Sequence, residues 1–261
     1  MKILVIGDIV GKPGRRAVRN ILPGLREDYI LDFVIANGEN ASGGRGLNRD
    51  GMQELFACGI DVLTMGNHVW DNKEIFEFID EQPGIIRPCN YPVSNPGQGY
   101  HIYTLNNGYR IAVINASGRV FMDNLDCPFE KTENVLREID NKADFIIADF
   151  HAEATSEKLA FAYYFDGRVN AVLGTHTHIQ TADERILTKG TAYITDLGMT
   201  GPVNSILGVE INAVIKKFLT AQPVRFEVAK GPVQLQGVIL TLADSTRKIE
   251  NISRISIEMP N

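Results

Sequence analysis

Cysteine is rare in this chain of 261 residues, and basic residues are outnumbered by acidic ones. The three cysteines, Cys58, Cys89 and Cys127, form no CxxC spacing. This small, odd number argues against a disulfide framework or a zinc ribbon and favours a reducing compartment. Lysine and arginine total 26 against 32 acidic residues, which gives a net charge of −6. The chain therefore lacks the basic footprint of a protein that binds duplex nucleic acid.

Long apolar runs, internal repeats and low-complexity tracts are also missing. No stretch approaches the roughly 18 apolar residues of a membrane span. The first apolar run, residues 3–6, is too short for a signal peptide and is followed at once by Gly7 and Asp8. The hydrophobic content of 44% excludes intrinsic disorder. We expect a soluble, cytoplasmic protein with no membrane partner, built as a single domain of residues 1–261 and assembled as a homo-oligomer.

The first third of the chain alternates short buried strands with amphipathic helices. The strand patterns lie at residues 3–6, 33–36 and 61–65, and the helix patterns at 14–25 and 48–57. Such alternation predicts parallel strands that are covered on both faces. Asn48 is a predicted helix cap, and Asn72 is another for a helix at 73–80. Residues 82–99 hold four prolines and three glycines, which predicts a surface connection.

Strand and helix patterns continue towards the C-terminus. Asn106-Asn107-Gly108 is a hairpin turn signal between strands at 101–105 and 110–115. Further helices are predicted at 132–139, 156–165 and 212–219, and further strands at 145–149, 169–173, 192–195, 224–228, 235–242 and 252–257. The last strands predict an antiparallel, β-rich tail. The fold class is α/β, with either one mixed sheet or two facing sheets that have helices outside.

Polar side chains follow the buried strands at the point where each strand ends. Each of the following comes one to four residues after such a strand: Asp8, Glu39, Asn67, His151 and His176. Because the carboxyl ends of parallel strands meet at one edge of a sheet, we expect these side chains to converge. Carboxylates, amides and imidazoles without a thiolate suit iron, manganese, zinc or nickel better than calcium or magnesium. The set is larger than one tetrahedral ion needs, so it fits two ions with Glu39 as the bridge.

Five segments in this order resemble the motifs of calcineurin-like metallophosphoesterases and, within them, of the bacterial YmdB-type phosphodiesterases. The segments are Gly7-Asp8-Ile9-Val10-Gly11, Asn37-Gly38-Glu39-Asn40, Gly66-Asn67-His68, His151-Ala152-Glu153 and Gly174-Thr175-His176-Thr177-His178. The resemblance implies two facing mixed β-sheets flanked by helices, a four-layer αββα sandwich. Val10 stands where the superfamily has a histidine, and Glu39 stands where it has the bridging aspartate. Asn40 is the candidate to fill the place left by Val10.

The resemblance also implies the roles of individual residues. One metal would be held by Asp8, Glu39, His178 and Asn40, and the other by Glu39, Asn67, His151 and His176. His68 would act as a general acid beside the phosphate. The implied cofactors are two divalent ions, iron or alternatively manganese. The implied substrates are small cyclic nucleotides, both 2′,3′-cyclic and 3′,5′-cyclic, or related diesters. A hydroxide that bridges the metals would attack phosphorus.

Other functions remain open at this stage. A phosphomonoesterase or nucleotidase would use the same metals, and a non-catalytic regulator could bind metal or nucleotide without turnover. Arg45 lies in a glycine-rich loop that either contacts substrate phosphate or is a plain surface loop. His101 falls in a predicted hairpin strand, and we interpret it as structural.

Overall fold

The computed structural model describes residues 1–243 and 246–260, which form five α-helices and fourteen strands. In chain order these are β1 (Lys2–Ile6), β2 (Asp8–Ile9), α1 (Gly11–Tyr29), β3 (Phe33–Asn37), α2 (Arg49–Ala57), β4 (Val62–Thr64), β5 (Ile85–Ile86), β6 (Tyr100–Thr104), β7 (Arg110–Ser117), α3 (Pro128–Ile139), β8 (Phe145–His151), α4 (Thr155–Tyr164), β9 (Ala171–Thr175), β10 (Arg185–Ile186), β11 (Ala192–Ile194), β12 (Met199–Pro202), α5 (Ile211–Thr220), β13 (Val233–Ala243) and β14 (Lys248–Met259). No helix in these ranges combines the length and hydropathy of a membrane-spanning segment.

The strands form two mixed sheets. The first sheet has the order β2-β12-β13-β1-β3-β4-β5, with β14 also paired to β13. The second has the order β10-β11-β9-β8-β7-β6. Strands β1, β3, β4 and β5 run parallel to one another, as do β7, β8, β9 and β11, whereas β13 is antiparallel to β1 and β14. The predicted class, with two facing mixed sheets, is confirmed, and so is the antiparallel tail.

Alternate residues of one strand serve two different cores. In β1, Ile3 and Val5 join a buried cluster with Val113 of β7 and other residues of the second sheet. Leu4 and Ile6 point to the opposite face, where they pack in a cluster with residues of α1 and α2. A third cluster joins the far face of the second sheet to α3 and α4. Because successive strand residues face opposite sides, the result is a helix–sheet–sheet–helix sandwich.

Two predicted elements are wrong. Residues 73–80 form two 3₁₀ turns, Lys73–Glu77 and Ile79–Glu81, rather than an α-helix. The Asn72 side chain does accept a hydrogen bond from the Glu74 amide, as a cap does. Three residues per turn place Ile75 and Phe78 one above the other, and both are buried. Residues 224–228 form no strand beyond an isolated bridge at Val228, and Phe226 and its neighbours are exposed.

Two further differences concern boundaries. The predicted surface connection at 82–99 contains β5, a buried strand at the edge of the first sheet. Helix α1 begins at Gly11, so Pro13 lies inside its first turn instead of before it. The first-turn amides of a helix have no intrahelical acceptor, and proline is therefore tolerated there. The predicted cap at Asn48 is present, since its side chain accepts from the Gly51 amide.

Candidate active site

The carboxyl-terminal ends of strands from both sheets meet at one place and bring the predicted polar residues together. The first sheet supplies Asp8 just after β1, Glu39 and Asn40 after β3, and Asn67 after β4. The second sheet supplies His151 at the end of β8 and, after β9, His176 and His178. The site therefore lies across the two sheets, which explains why its members are so far apart in sequence.

The Nε2 atom of His151 is the centre of one group of ligand atoms. It lies 2.9 Å from Asn67 Oδ1, 3.1 Å from Glu39 Oε1 and 3.0 Å from His176 Nδ1. A ring nitrogen carries at most one hydrogen, so it cannot donate to all three atoms. Ligand atoms of Glu39, His151 and His176 all lie within 4.8 Å of one another. This group of lone pairs has the composition of a divalent-cation site.

The other side of the His151 ring is fixed by a hydrogen-bond chain. Thr175 Oγ1 donates to Asp149 Oδ1 at 2.7 Å, so it accepts from His151 Nδ1 at 2.9 Å. These two hydrogen bonds direct His151 Nε2 towards Glu39. Burial is the largest single effect and disfavours the imidazolium, but the carboxylates of Glu39, Asp8 and Asp149 together outweigh it and raise the pKa of His151 to about 9. Burial also opposes ionisation of Glu39, but His151 and the backbone amide of His68 bring its pKa down to about 2.

Asp8, Asn40 and His178 form a second group beside the first. His178 Nδ1 lies 3.1 Å from the Leu207 carbonyl, which can only accept, so Nδ1 is the donor. Nε2 then faces Asn40 Oδ1 at 3.3 Å and Asp8 Oδ1 at 3.9 Å. Asp8 Oδ1 is buried and has no hydrogen-bond partner. Three atoms with lone pairs thus face one another, and a bound cation would stabilise this arrangement.

A backbone hydrogen bond connects the two groups of ligand atoms. Asp8 Oδ2 accepts a hydrogen bond from the His176 backbone amide at 3.2 Å. Burial raises the pKa of Asp8 to about 6, while the nearby ring of His178 opposes that rise. Asn40 Nδ2 donates to the Gly44 carbonyl at 3.0 Å, which turns its Oδ1 towards His178. The side chain of Asn40 is buried, as is that of Val10.

The turn from His176 to His178 has an unusual backbone. Its φ angles are 101° at His176 and 64° at His178, both in the left-handed region that residues other than glycine rarely adopt. Thr177, between them, donates to Asp196 Oδ2 through its amide at 3.1 Å and its hydroxyl at 2.8 Å. Lys158 Nζ donates to the same oxygen at 2.7 Å. The turn sends one ring to His151 and the other towards Asp8, so the two histidines diverge as expected.

Gly66 is packed directly against the ligand atoms. A Cβ atom at this position would collide with His151 Nε2 and Glu39 Oε2. Glycine is therefore required here by the close approach of the backbone to the site, and not by a positive φ angle.

His68 lies at the rim and is one-fifth exposed. Its backbone amide donates to Glu39 Oε2 at 2.8 Å, while its ring Nδ1 lies 2.9 Å from Asp71 Oδ2. Arg45 Nη1 is 3.9 Å from the same carboxylate oxygen. The ring thus stands beside the two groups of ligand atoms without contributing to either. A cavity of about 370 Å³ beside His178 is also lined by Arg45.

Sequence reasoning missed several residues that position the site. Asp196 is the second residue after β11, so the rule of polar residues at strand ends could have found it. Asp71 could have been found from its spacing of three residues from His68. Asp149 and Lys158 gave no signal, because one lies within an apolar strand and the other looks like an ordinary exposed helix lysine. His101, interpreted as structural, lies in β6 near Tyr103 and away from the site.

Comparison with known proteins points to one family. The model of the family described as YmdB-like protein matches residues 4–255. A Bacillus subtilis protein named 2′,3′-cyclic-nucleotide 2′-phosphodiesterase is 52% identical over 257 residues, which cover 98% of this chain and 97% of that protein. The crystal structure of a hypothetical protein from Thermus thermophilus superposes with a TM-score of 0.94 at 43% identity, covering both chains in full. A novel phosphatase from Mycoplasma pneumoniae gives the same TM-score at 36% identity, covering 100% of this chain and 94% of the other.

Proposed function

The chain belongs to the YmdB-like family, and from this premise we propose that it is a metal-dependent phosphoric diester hydrolase of nucleoside 2′,3′-cyclic phosphates. The observation that carries the proposal is the meeting of two groups of lone-pair atoms at the strand ends, around His151 Nε2 and around the unpartnered Asp8 Oδ1. The name of the Bacillus subtilis relative supports the choice of substrate.

The residues present fit two divalent cations. Asp8, Asn40 and His178 would hold one, while Asn67, His151 and His176 would hold the other, and Glu39 would be the ligand that both share. The donor atoms are oxygen and imidazole nitrogen without thiolate, which suits iron or manganese. Such cations, when bound, lower the pKa of water towards neutrality and neutralise charge on phosphoryl oxygens. Asp149, through Thr175, would keep His151 Nε2 directed at its cation.

His68 would be the general acid that protonates the leaving group. In the reaction, a water oxygen adds to phosphorus and loses one proton to the solvent, the bond from phosphorus to O2′ breaks, and O2′ receives a proton, which leaves a nucleoside 3′-phosphate. The His68 ring can supply that proton while the Asp71 carboxylate, 2.9 Å away, holds the ring in place. The same chemistry would extend to 3′,5′-cyclic nucleotides. We expect slower turnover for them, because their six-membered ring is less strained.

The test uses protein stripped of metal with a chelator and then supplied with Mn²⁺ or Fe²⁺. Turnover of 2′,3′-cyclic AMP to 3′-AMP is followed by chromatography, and 3′,5′-cyclic AMP and 3′-AMP serve as comparison substrates. His176→Ala should lose the metal-restored activity, and His101→Ala, a histidine in β6 outside the site, should keep it. Faster hydrolysis of 3′-AMP would make the protein a nucleotidase. Nucleotide binding without any turnover in the metal-loaded protein would instead establish a regulator.

We further propose that residues 1–261 form one domain located in the cytoplasm, and that the protein assembles as a homo-oligomer. The core between the sheets supports the first point, since Ile3 and Val113 belong to one buried cluster and neither sheet covers that face alone. A single cooperative transition in urea is the expected result.

Cytoplasmic location is consistent with three free cysteines. An apolar stripe on α5 that includes the exposed Phe218 and Leu219 supports assembly, which sedimentation would measure.

A further inference from the structure

A second and larger cavity adjoins the one beside His178. It has a volume of about 790 Å³, against about 370 Å³ for its neighbour. The two share the lining residues Gly43, Phe226, Glu227 and Val228, so they adjoin each other at these residues. Ligand pockets for small molecules span roughly 300–1,000 Å³. The smaller cavity alone is therefore of the size that one nucleotide needs, and the larger one has no role in the function proposed above.

The lining of the larger cavity is cationic, although the chain as a whole has a net charge of −6. Its basic residues are Lys12, Arg15, Arg16, Arg225 and Lys230, and its acidic residue is Glu227. Arg15 is paired with Glu54 at 2.6 Å, and Arg225 lies 3.5 Å from Glu227 with 88% of its side chain exposed. In the described part of the chain, neither Lys12 nor Lys230 takes part in an ion pair. These positive charges are thus available to an anionic ligand.

An aromatic side chain stands at the junction of the two cavities. Phe226 is 48% exposed and lines both cavities. An exposed ring beside cationic side chains is the arrangement with which proteins bind single-stranded nucleic acid, because bases stack on the ring while lysine and arginine contact the phosphates. The segment from 224 to 230 would therefore present one base-stacking surface and two phosphate-binding side chains.

We propose that the larger cavity binds the nucleotides that precede a terminal 2′,3′-cyclic phosphate, and that the substrate is a short single-stranded RNA. The proposal rests on the proposed function and names its substrate class. A 2′,3′-cyclic phosphate terminates a ribonucleotide chain at its 3′ end, so the rest of an RNA substrate must leave the site in the 5′ direction. The cationic cavity adjoins the site and can receive that part of the chain. The reaction that supplies such ends is cleavage of RNA by attack of a 2′-hydroxyl on its own phosphate.

The experiment compares kcat/KM for 2′,3′-cyclic AMP with kcat/KM for a triadenylate that ends in a 2′,3′-cyclic phosphate. We expect the triadenylate value to be at least about tenfold higher at low salt. The triadenylate kcat/KM should also fall more steeply than the mononucleotide kcat/KM as the salt concentration rises. In a plot of log kcat/KM against log salt concentration, each phosphate contacted should make the slope more negative by about 0.7. The triple variant Lys12→Ala/Arg225→Ala/Lys230→Ala should reduce the triadenylate value to that of the mononucleotide. Phe226→Ala should reduce it several-fold.

Lys248→Ala is the matched control, because Lys248 is an exposed cation at the far end of the β13–β14 ladder. Equal kcat/KM values for the two substrates, or a triple variant that keeps the preference, would overturn the proposal. Failure of the proposed function is recognised separately, since neither substrate would then turn over. In that event, fluorescence anisotropy of labelled triadenylate decides: binding that the triple variant abolishes supports the RNA cavity, and absence of binding overturns it.

Discussion

The Nζ atom of Lys158 lies 2.7 Å from Asp196 Oδ2, and neither side chain is exposed to solvent. The same carboxylate accepts hydrogen bonds from the amide and hydroxyl of Thr177 and, through Oδ1, from the Gly198 amide at 2.9 Å. The Gly198 carbonyl in turn accepts from the Asp8 amide at 3.1 Å. One buried ion pair therefore holds both the turn that carries His176 and the strand that carries Asp8.

Replacing Lys158 by methionine should destabilise the protein by about 3–5 kcal/mol, because it leaves the Asp196 carboxylate buried without its countercharge. Urea unfolding measures the change, and the affinity for Mn²⁺ should fall in the same variant. Lys158→Met/Asp196→Asn should recover part of the stability, since no unpaired charge remains. Lys131→Met removes the more exposed pair with Asp126 and should cost less than about 1 kcal/mol. Equal effects in the two single variants would contradict this account.

The Gly66→Ala variant should lose most metal affinity and activity. The added methyl group would collide with His151 Nε2 and Glu39 Oε2, so the ligand atoms must move apart. Metal content after gel filtration and turnover of 2′,3′-cyclic AMP measure the effect. Gly24→Ala is the control, because a Cβ atom at Gly24 meets nothing within 4 Å. Alanine should stabilise helix α1 by about 0.5–1 kcal/mol relative to glycine. Full activity of Gly66→Ala would show that the ligand geometry is not restricted in this way.

The His68→Ala variant should keep its metal and lose turnover by about 10²–10⁴-fold. The metal is retained because His68 contacts Glu39 through its backbone amide, which alanine also provides. Asp71→Asn should have a smaller effect, since it removes only the charge that orients the ring. The decisive comparison is kcat at saturating substrate together with metal content. Unchanged turnover in His68→Ala would remove this residue from the mechanism.

The convergence of the polar side chains could be predicted from the sequence because one physical rule governs it. Parallel strands end at a common edge, and polar residues after short buried strands mark that edge. His176 followed from the same rule, whereas His178 and Asn40 were implied only by the resemblance to the metallophosphoesterase motifs. What the sequence could not show is which helix face meets the sheet, so the buried Lys158 resembled a solvent-facing lysine.

The two failed predictions have a related cause. The alternation in Val224-Arg225-Phe226-Glu227-Val228 is compatible with a strand, but a strand also needs a neighbour with a free backbone edge. Among residues 1–243 and 246–260, only Val209 bridges to Val228. Similarly, the apolar spacing at 73–80 is compatible with an α-helix, and the tighter 3₁₀ winding buries the same residues. Long-range packing decided both cases, and it is not encoded within ten residues of sequence.

The ion pair of Glu133 with Arg168 should make stability depend on pH in acid. Hydrogen bonds from the guanidinium, one of them 2.7 Å from Nη2 to Oε2, lower the pKa of Glu133 from its usual 4.5 to about 2. Because the pKa is depressed in the folded state, the stabilisation is complete above about pH 4.5 and is lost as the pH falls towards 2. Glu133→Gln should lower the free energy of unfolding, measured in urea, by about 1 kcal/mol at pH 7 and should leave it unchanged near pH 2. A cost that does not vary with pH would assign the effect to packing, and a double-mutant cycle with Arg168→Ala isolates the pair.

Metal content offers the sharpest test of the two groups of ligand atoms. Asp8 Oδ1 faces His178 Nε2, whereas Glu39 Oε1 contacts His151 Nε2, and Glu39 is the proposed ligand that both cations share. If each group holds a cation, the unaltered protein should bind two Mn²⁺ ions, Asp8→Asn one, and Glu39→Gln none. Isothermal titration calorimetry and elemental analysis give the stoichiometry. Asp144→Asn, in a carboxylate paired with Arg110 outside the site, should still bind two. A single ion in the unaltered protein, or complete metal loss in Asp8→Asn, would mean that the two groups form one site, because only a shared cation makes its binding depend on every ligand at once.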